Sequence, residues 1–408
     1  MLRSLFAAIS GMRSQQTKLD VTANNIANVG TTGFKGSRVK FQDMLSQTIR
    51  SASAPMGGRA GINPSQVGLG MTIAGIDTIH TQGSLQATGR VTDLAIQGGG
   101  LFVVSDGVRN LYTRDGSFSL SLSNELVNAS TGLKVVGWMA DNNGQISTQS
   151  AMQPISIPVG EKIMTKATAL VEMTGNLSSG VAATAASAHT TYVTAYDSKG
   201  ASHELTVKFT KTAANAWNWG VTSVGGLTVG NGSGTLSFTT AGALNTATTG
   251  PVTVTIPGAE TVSFSLDFNS LSQVAGDNTA LVKFQDGYPP GELLTFSIGK
   301  TGVITGTYSN GLVSDLGQIA LAYVANPEGM LKSAGNLFDV SSNSGEVRIG
   351  AAGSDGRGTI ETGMLEMSNV DLATEFTEMI STSRAFQANS RVVTTSDEML
   401  QELIQLKR

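Results

Sequence analysis

Residues 1–35 read MLRSLFAAISGMRSQQTKLDVTANNIANVGTTGFK. From Leu2 onward, apolar or small residues recur at alternating steps of three and four: Leu2, Leu5, Ile9, Met12, then Leu19, Ala23 and Ile26. That spacing puts them on one face of a helix, with Gln16 as the polar member of the seam. No proline interrupts the pattern, and Val29-Gly30 supplies a stop, since glycine accepts the left-handed backbone that closes a helix. Such a helix runs roughly 40 Å at about 1.5 Å per residue. A lone amphipathic helix is marginal in water, so this one predicts a packing partner.

The other end of the chain offers one. Leu365, Leu372, Met379, Phe386, Val393 and Leu400 fall at steps of seven. Phe376 and Ile404 join a second, mostly polar seam with Asn369, Ser383, Ser390 and Asp397. Ser368 followed by Asp371 reads as a capping box, and Lys407 and Arg408 sit where positive charge favours a helix C-terminus. Periodicity alone leaves two readings open: two amphipathic helices covering the ends of a domain, or a dedicated coiled-coil pair.

Between the ends the period changes to two. Residues 36–70 are polar, with room for a short strand or helix over 39–49 and breakers at Ala54-Pro55-Met56-Gly57-Gly58 and Gly61-Ile62-Asn63-Pro64. From Met71 the chain reads as short strands, with Asp106-Gly107 and Asp115-Gly116 as hairpin signals. Pro154 and Pro158 mark a boundary, and 147–289 reads as a second all-β domain.

Composition narrows the function classes. Charged residues make up 14%, against roughly 25% in ordinary soluble proteins. The polar, uncharged surface this implies suits packing against copies of the same chain. A net charge of -4 provides no electrostatic footprint for nucleic acid. The absence of cysteine rules out disulfides and thiolate metal sites. No run reaches membrane-span length. Arg3 ahead of Leu5–Ile9 imitates a signal peptide, but the apolar run is too short and the heptad passes through it.

No catalytic, cofactor or metal site is predicted. Gly98-Gly99-Gly100 leads into a strand rather than the helix a phosphate loop needs. The aspartates beside Gly or Asn, including Asp141-Asn142-Asn143-Gly144, read as turn residues. His80, His189 and His203 lack metal-ligand spacing. Trp217 and Trp219 share one face of a strand, as core or interface aromatics or as a sugar-stacking pair.

Ala23-Asn24-Asn25-Ile26-Ala27-Asn28, with Thr31, Gly33, Phe34 and Lys35, resembles the N-terminal signature of the bacterial flagellar rod and hook proteins. Gly363–Leu372 and Arg384-Ala385-Phe386-Gln387-Ala388-Asn389 resemble the matching C-terminal signature. Tyr112–Gly116 and Gly137-Trp138 resemble the family's β-domain motif, although Gly100-Leu101-Phe102 has one glycine more and one aromatic fewer. Residues 147–289, with Tyr196–Gly200 and Gln285–Gly291, resemble the hook members.

The resemblance implies a mainly β fold with α-helical termini. The N- and C-terminal helices would pair as a coiled-coil core (1–35 and 363–408), joined by 36–70. Two nested all-β domains would lie between them: 71–146 with 290–362, and an inserted 147–289. It implies a non-enzymatic subunit, without cofactor, that self-assembles into a curved tube transmitting torque as a flexible joint. The implied assembly residues are Leu2, Leu5, Ile9, Met12, Leu19, Asn24, Asn25, Ile26, Asn28 and Phe34 at one end. At the other they are Leu372, Met379, Phe386, Asn389, Val393 and Leu400. Implied partners are the chain itself, the distal rod protein, the hook cap, the hook-filament junction proteins and the type III export apparatus, without nucleic acid or membrane insertion. Export without a cleaved signal peptide would place it outside the cell. The alternatives are a straight, distal-rod-like subunit, or a secreted β-rich carbohydrate-active enzyme or adhesin with its ligand near Trp217 and Trp219.

Overall fold

The computed structural model describes residues 2–405 except 53, 55–60, 142–143, 161, 185–186, 226 and 258–259. Met1, Lys407, Arg408 and the Asn142-Asn143 part of the expected 141–144 turn lie outside the described residues, as does the Leu2 side chain. The chain forms two compact units: Met1–Ile157, Ser297–Ile304 and Asp315–Arg408 in the first, Pro158–Phe296 and Thr305–Ser314 in the second.

The first unit carries both helices, α1 (Leu2–Ala27) and α2 (Leu372–Gln405). They pack antiparallel: Gly11 lies against Asn389, Lys18 pairs with Glu378 at 3.1 Å, and Asn25 donates to Glu375 Oε1 at 3.0 Å. The start of α2 corrects the expected capping box. Asp371 is the cap, its Oδ1 accepting the Ala373 N–H at 3.0 Å and its Oδ2 accepting from Thr374 Oγ1 at 2.9 Å. Ser368 instead accepts the Val370 N–H. Leu365, expected to open the heptad, lies in the strand Met364–Glu366, which pairs with Leu85–Ala87. At the end of α1 the left-handed glycine is Gly33 (φ 66°), not Gly30. A Cβ on Gly33 would also stand 2.5 Å from the Asp115 amide nitrogen.

The span 39–49 falls in two strands broken at Met44-Leu45, with no helix. Ser37–Asp43 pairs antiparallel with Met71–Thr78, and Ser46–Arg50 with Ser65–Gly68. The sheet of the first unit centres on Leu101–Ser105, which pairs with Asn110–Thr113, Lys134–Met139 and Leu321–Val324. Leu101, Val103, Tyr112, Val136, Trp138 and Phe338 pack beneath it. Asp106-Gly107 makes the expected hairpin turn, Asp106 Oδ1 accepting the N–H groups of Val108 and Arg109. Asp115-Gly116 does not form a hairpin tip. Asp115 is buried, bonded by Thr32, Ser117 and Asn128, and Gly116 lies hard against the Leu94 carbonyl, where no Cβ fits.

The second unit contains two five-stranded sheets. One runs in the order Thr228–Gly230, Val252–Thr255, Val262–Ser272, Leu170–Asn176, Leu281–Gln285. The other runs His189–Tyr196, Ser202–Ala213, Ala216–Ser223, Ser233–Phe238, Leu244–Ala247. The alternation in Ala216–Ser223 sends Trp217 and Trp219 into a shared core with Phe209, Phe264 and Phe268. They are 0% and 2% exposed, which removes the sugar-stacking reading: a stacking platform has to present a ring face to solvent.

Candidate assembly surface

The close face of the helix pair is small and polar. Among the described residues, Ala8, Gly11, Ser14, Thr22 and Asn25 are the buried positions of α1, and Thr382 and Ser396 are those of α2. A Cβ on Gly11 would stand 2.8 Å from Asn389 Nδ2, so absence of a side chain lets the helices approach. Both seams are therefore turned one residue from expectation. Gln16 and Ala23 are exposed, and the second seam of α2 runs through Glu375, Thr382, Asn389 and Ser396 instead of Phe376, Ser383, Ser390 and Asp397.

The large apolar residues flank that seam. Leu5, Ile9, Met12, Leu19 and Ile26 are half-buried, as are Met379, Phe386, Val393 and Leu400. Phe6, Leu372, Phe376, Ile380, Val392, Met399 and Ile404 are 40–68% exposed. A fully buried side chain of this size contributes about 1.5–3 kcal/mol, so each leaves on the order of 1 kcal/mol unrealised in the single chain. That is an unsatisfied surface along the whole pair.

The asparagines at the exit of α1 have distinct tasks. Asn25, 2% exposed, accepts the Ser37 N–H at 3.0 Å and donates to the Ser37 carbonyl at 2.8 Å, closing the helix against the following strand. Asn28 donates to the Asn24 carbonyl at 2.9 Å, and Asn24 is otherwise exposed. Phe34 is buried with the Lys332 ammonium 4.0 Å above its ring.

Beside Phe34 lies an ion cluster that pattern reading did not single out. Lys35 Nζ meets Glu366 Oε1 at 2.6 Å, and Arg114 Nη1 meets Glu366 Oε2 at 3.0 Å. Gly83 N–H donates to Glu366 Oε1 at 2.9 Å, and the Glu366 carbonyl accepts the Gly33 N–H at 2.8 Å. Asn369 completes the junction: its Oδ1 accepts the Gly36 N–H and its Nδ2 donates to the Ile79 carbonyl. The cluster fixes where α1 ends, where α2 begins and how both join the sheet. In the sequence Lys35, Arg114 and Glu366 each fall in one of the signature stretches, Glu366 as an acid among Met364, Leu365 and Met367, but nothing there joins the three.

His80 stands against this cluster, its ring 5.2 Å from Phe338. Burial pushes its imidazole down from 6.5 to about 4; the Lys35, Arg114 and Lys332 charges push the same way, against a hydrogen bond with Pro327. In the unfolded chain His80 takes a proton below pH 6.5, whereas in the folded chain it stays neutral until about pH 4. Its contribution is therefore full above pH 6.5, shrinks as pH falls from 6.5 to 4, and changes no further below. That interval is worth about 3 kcal/mol. The difference in stability between the parent and His80→Gln, followed from pH 7 to pH 4, should narrow by that amount; a constant difference would refute it.

On the outer side of α1, Phe6, Ile9, Arg13 and Thr17 form one wall of a groove of about 550 Å³, with Met44, Leu69, Met71 and Ile73 opposite. Ser10 ties the walls together, its Oγ accepting the Met71 N–H at 3.3 Å.

Four family models match the chain in order. Residues 5–35 match the flagella basal body rod protein model and 95–175 the flagellar hook protein FlgE/F/G D1 domain. Residues 165–288 match the flagellar basal body protein FlaE D2 domain, and 361–406 the flagellar basal body rod FlgEFG protein C-terminal model. The flagellar hook protein FlgE of Borreliella burgdorferi is 42% identical over 100% of both chains. The chain belongs to the flagellar hook protein family. The Escherichia coli hook protein FlgE is 36% identical over 98% of this chain and 99% of its own. The basal-body rod protein FlgG of Bacillus subtilis is 32% identical over 100% of both. A crystal structure of the Helicobacter pylori hook protein FlgE2 shares the fold, with a TM-score of 0.52 at 16% identity, over 69% of this chain and 100% of that one. The hook family's mainly β architecture with helices at the two termini is thus the architecture seen here.

Proposed function

We propose that this chain is the subunit of the bacterial flagellar hook, polymerising through its terminal helices into a curved tube that transmits torque as a flexible joint. The observation that carries this is the helix pair. It closes on small and polar residues and leaves the apolar flanks of both helices for other copies. Two different patches meeting head to tail, without closing a ring, generate an open helical filament. The role is structural rather than catalytic. The distal rod protein, hook cap, hook-filament junction proteins and type III export apparatus are its proposed partners outside the homopolymer, and the cell exterior its proposed location.

Electron microscopy of the purified chain under polymerising conditions tests this. Curved tubes are the expected result, and Leu19→Asp and Phe386→Asp should each abolish them while leaving the β-sheet circular dichroism unchanged. Normal tubes from both variants would remove the terminal helices from the interface. Straight, stiff tubes from the parent would favour a rod subunit, the reading that full-length similarity to FlgG supports.

A further inference from the structure

The groove outside α1 has a helical shape, an apolar lining and an exposed cation. Phe6, Ile9, Arg13 and Thr17 advance by three or four residues, about three turns along one face, or about 16 Å. Met71 and Ile73 supply the opposite wall. Phe6 is 67% exposed, and Arg13 is exposed.

The complementary surface is on the same chain, but out of its own reach. On the far half of α2, Ala388, Val392, Thr395, Met399 and Glu402 repeat at steps of four and three, all exposed, over about 21 Å. Val392 and Met399 are 41% and 49% exposed. Glu398 and Glu402 beside Met399 are exposed acids, opposite in sign to Arg13. Within one chain Gly11 sits against Asn389, so Ile9 stands level with residue 391 and the chain's own Met399 lies about eight residues, roughly 12 Å, farther along the pair. It cannot fill its own groove.

We infer that the groove formed by α1 and the strand Met71–Thr78 receives the Val392–Glu402 face of α2 from a second copy. This rests on the polymerising reading above and specifies its contact. In a tube whose helix pairs share one direction, the incoming α2 runs antiparallel to this α1. Met399 then seats near Ile9, Val392 lies toward Thr17, and Glu398 comes within a turn of Arg13. Each α1 is thereby held between its own α2 and its neighbour's. The contact joins unlike patches, as an open filament requires.

The chain has no cysteine, so introduced thiols report on the contact alone. The double variant Ile9→Cys/Met399→Cys, polymerised and then oxidised, should give a ladder of covalent multimers on denaturing gels, because a disulfide needs Cα atoms within about 7 Å. Either single variant should stop at dimers. Arg13→Glu and Glu398→Arg should each slow polymerisation at least about tenfold, and the double reversal should restore it. Tubes without a ladder, or a double reversal that stays slow, would overturn the groove contact while leaving polymerisation itself standing. Failure of the parent chain to form tubes would overturn both readings together.

Discussion

Glu366→Gln should lower the stability of the first unit by about 3–5 kcal/mol, the cost of removing the counter-charge from buried ions. The carboxylate stands between two cations, with Lys35 and Glu366 side chains 0% exposed and Arg114 7%. Glutamine keeps the shape and can still accept the Gly83 N–H. It leaves the two positive groups facing each other out of water. Burial already holds the Lys35 amine below its ordinary value, and the Glu366 charge is the main opposing influence. Losing that charge therefore leaves Lys35 free to shed its proton, which limits the cost to this range. Hydrogen exchange at Gly33, whose N–H bonds the Glu366 carbonyl at 2.8 Å, should accelerate by about two to three orders of magnitude. Replacing Lys35, Arg114 and Glu366 together by apolar residues should cost less than the single change, since no uncompensated charge remains. A loss under about 1 kcal/mol for Glu366→Gln would mean that water reaches the cluster.

Trp219→Ala should cost the second unit about 3–5 kcal/mol, as is usual for a large aromatic removed from a packed core. Its ring lies 5.3 Å from that of Phe268, and its Nε1–H donates to the Thr248 carbonyl at 3.2 Å. Gly234 is tailored to it: a Cβ there would stand 2.7 Å from Trp219 Nε1. The substitution thus opens a cavity and leaves an acceptor without its donor. Denaturant unfolding, read by amide exchange in Ala216–Ser223 and Ser233–Phe238, measures the loss. Stability within 1 kcal/mol of the parent would show that the two sheets collapse around the gap.

These two sites show how differently the chain's features could be read in advance. Both tryptophans were visible as a same-face pair, but period two states only that they share a side. Whether that side faces solvent or a second sheet depends on Val262–Ser272, far along the chain. The ion cluster was less legible still. Lys35 and Glu366 are 331 residues apart, and nothing local at either position states that the other will be beside it.

The terminal helices divide along the same line. Apolar recurrence at steps of three and four, unbroken by proline, determined that each end of the chain is a helix, bounded in the structure at Leu2–Ala27 and Leu372–Gln405, and the shift to period two determined that the chain between them is strand. The glycine at the exit of α1 and the cap of α2 were approximated from residue type, and each landed three residues away, because the Gly33 N–H bonds the Glu366 carbonyl and the Asp371 carboxylate takes the Ala373 N–H. Only the tertiary structure decided the phase of the helix seam. Heptad spacing identifies side chains that gain from burial, but close approach of two backbones selects the smallest side chains, so Gly11, Thr22, Thr382 and Ser396 took the contact. The large residues at the next positions were left at its edges, because burying them takes a surface that one copy of the chain does not possess.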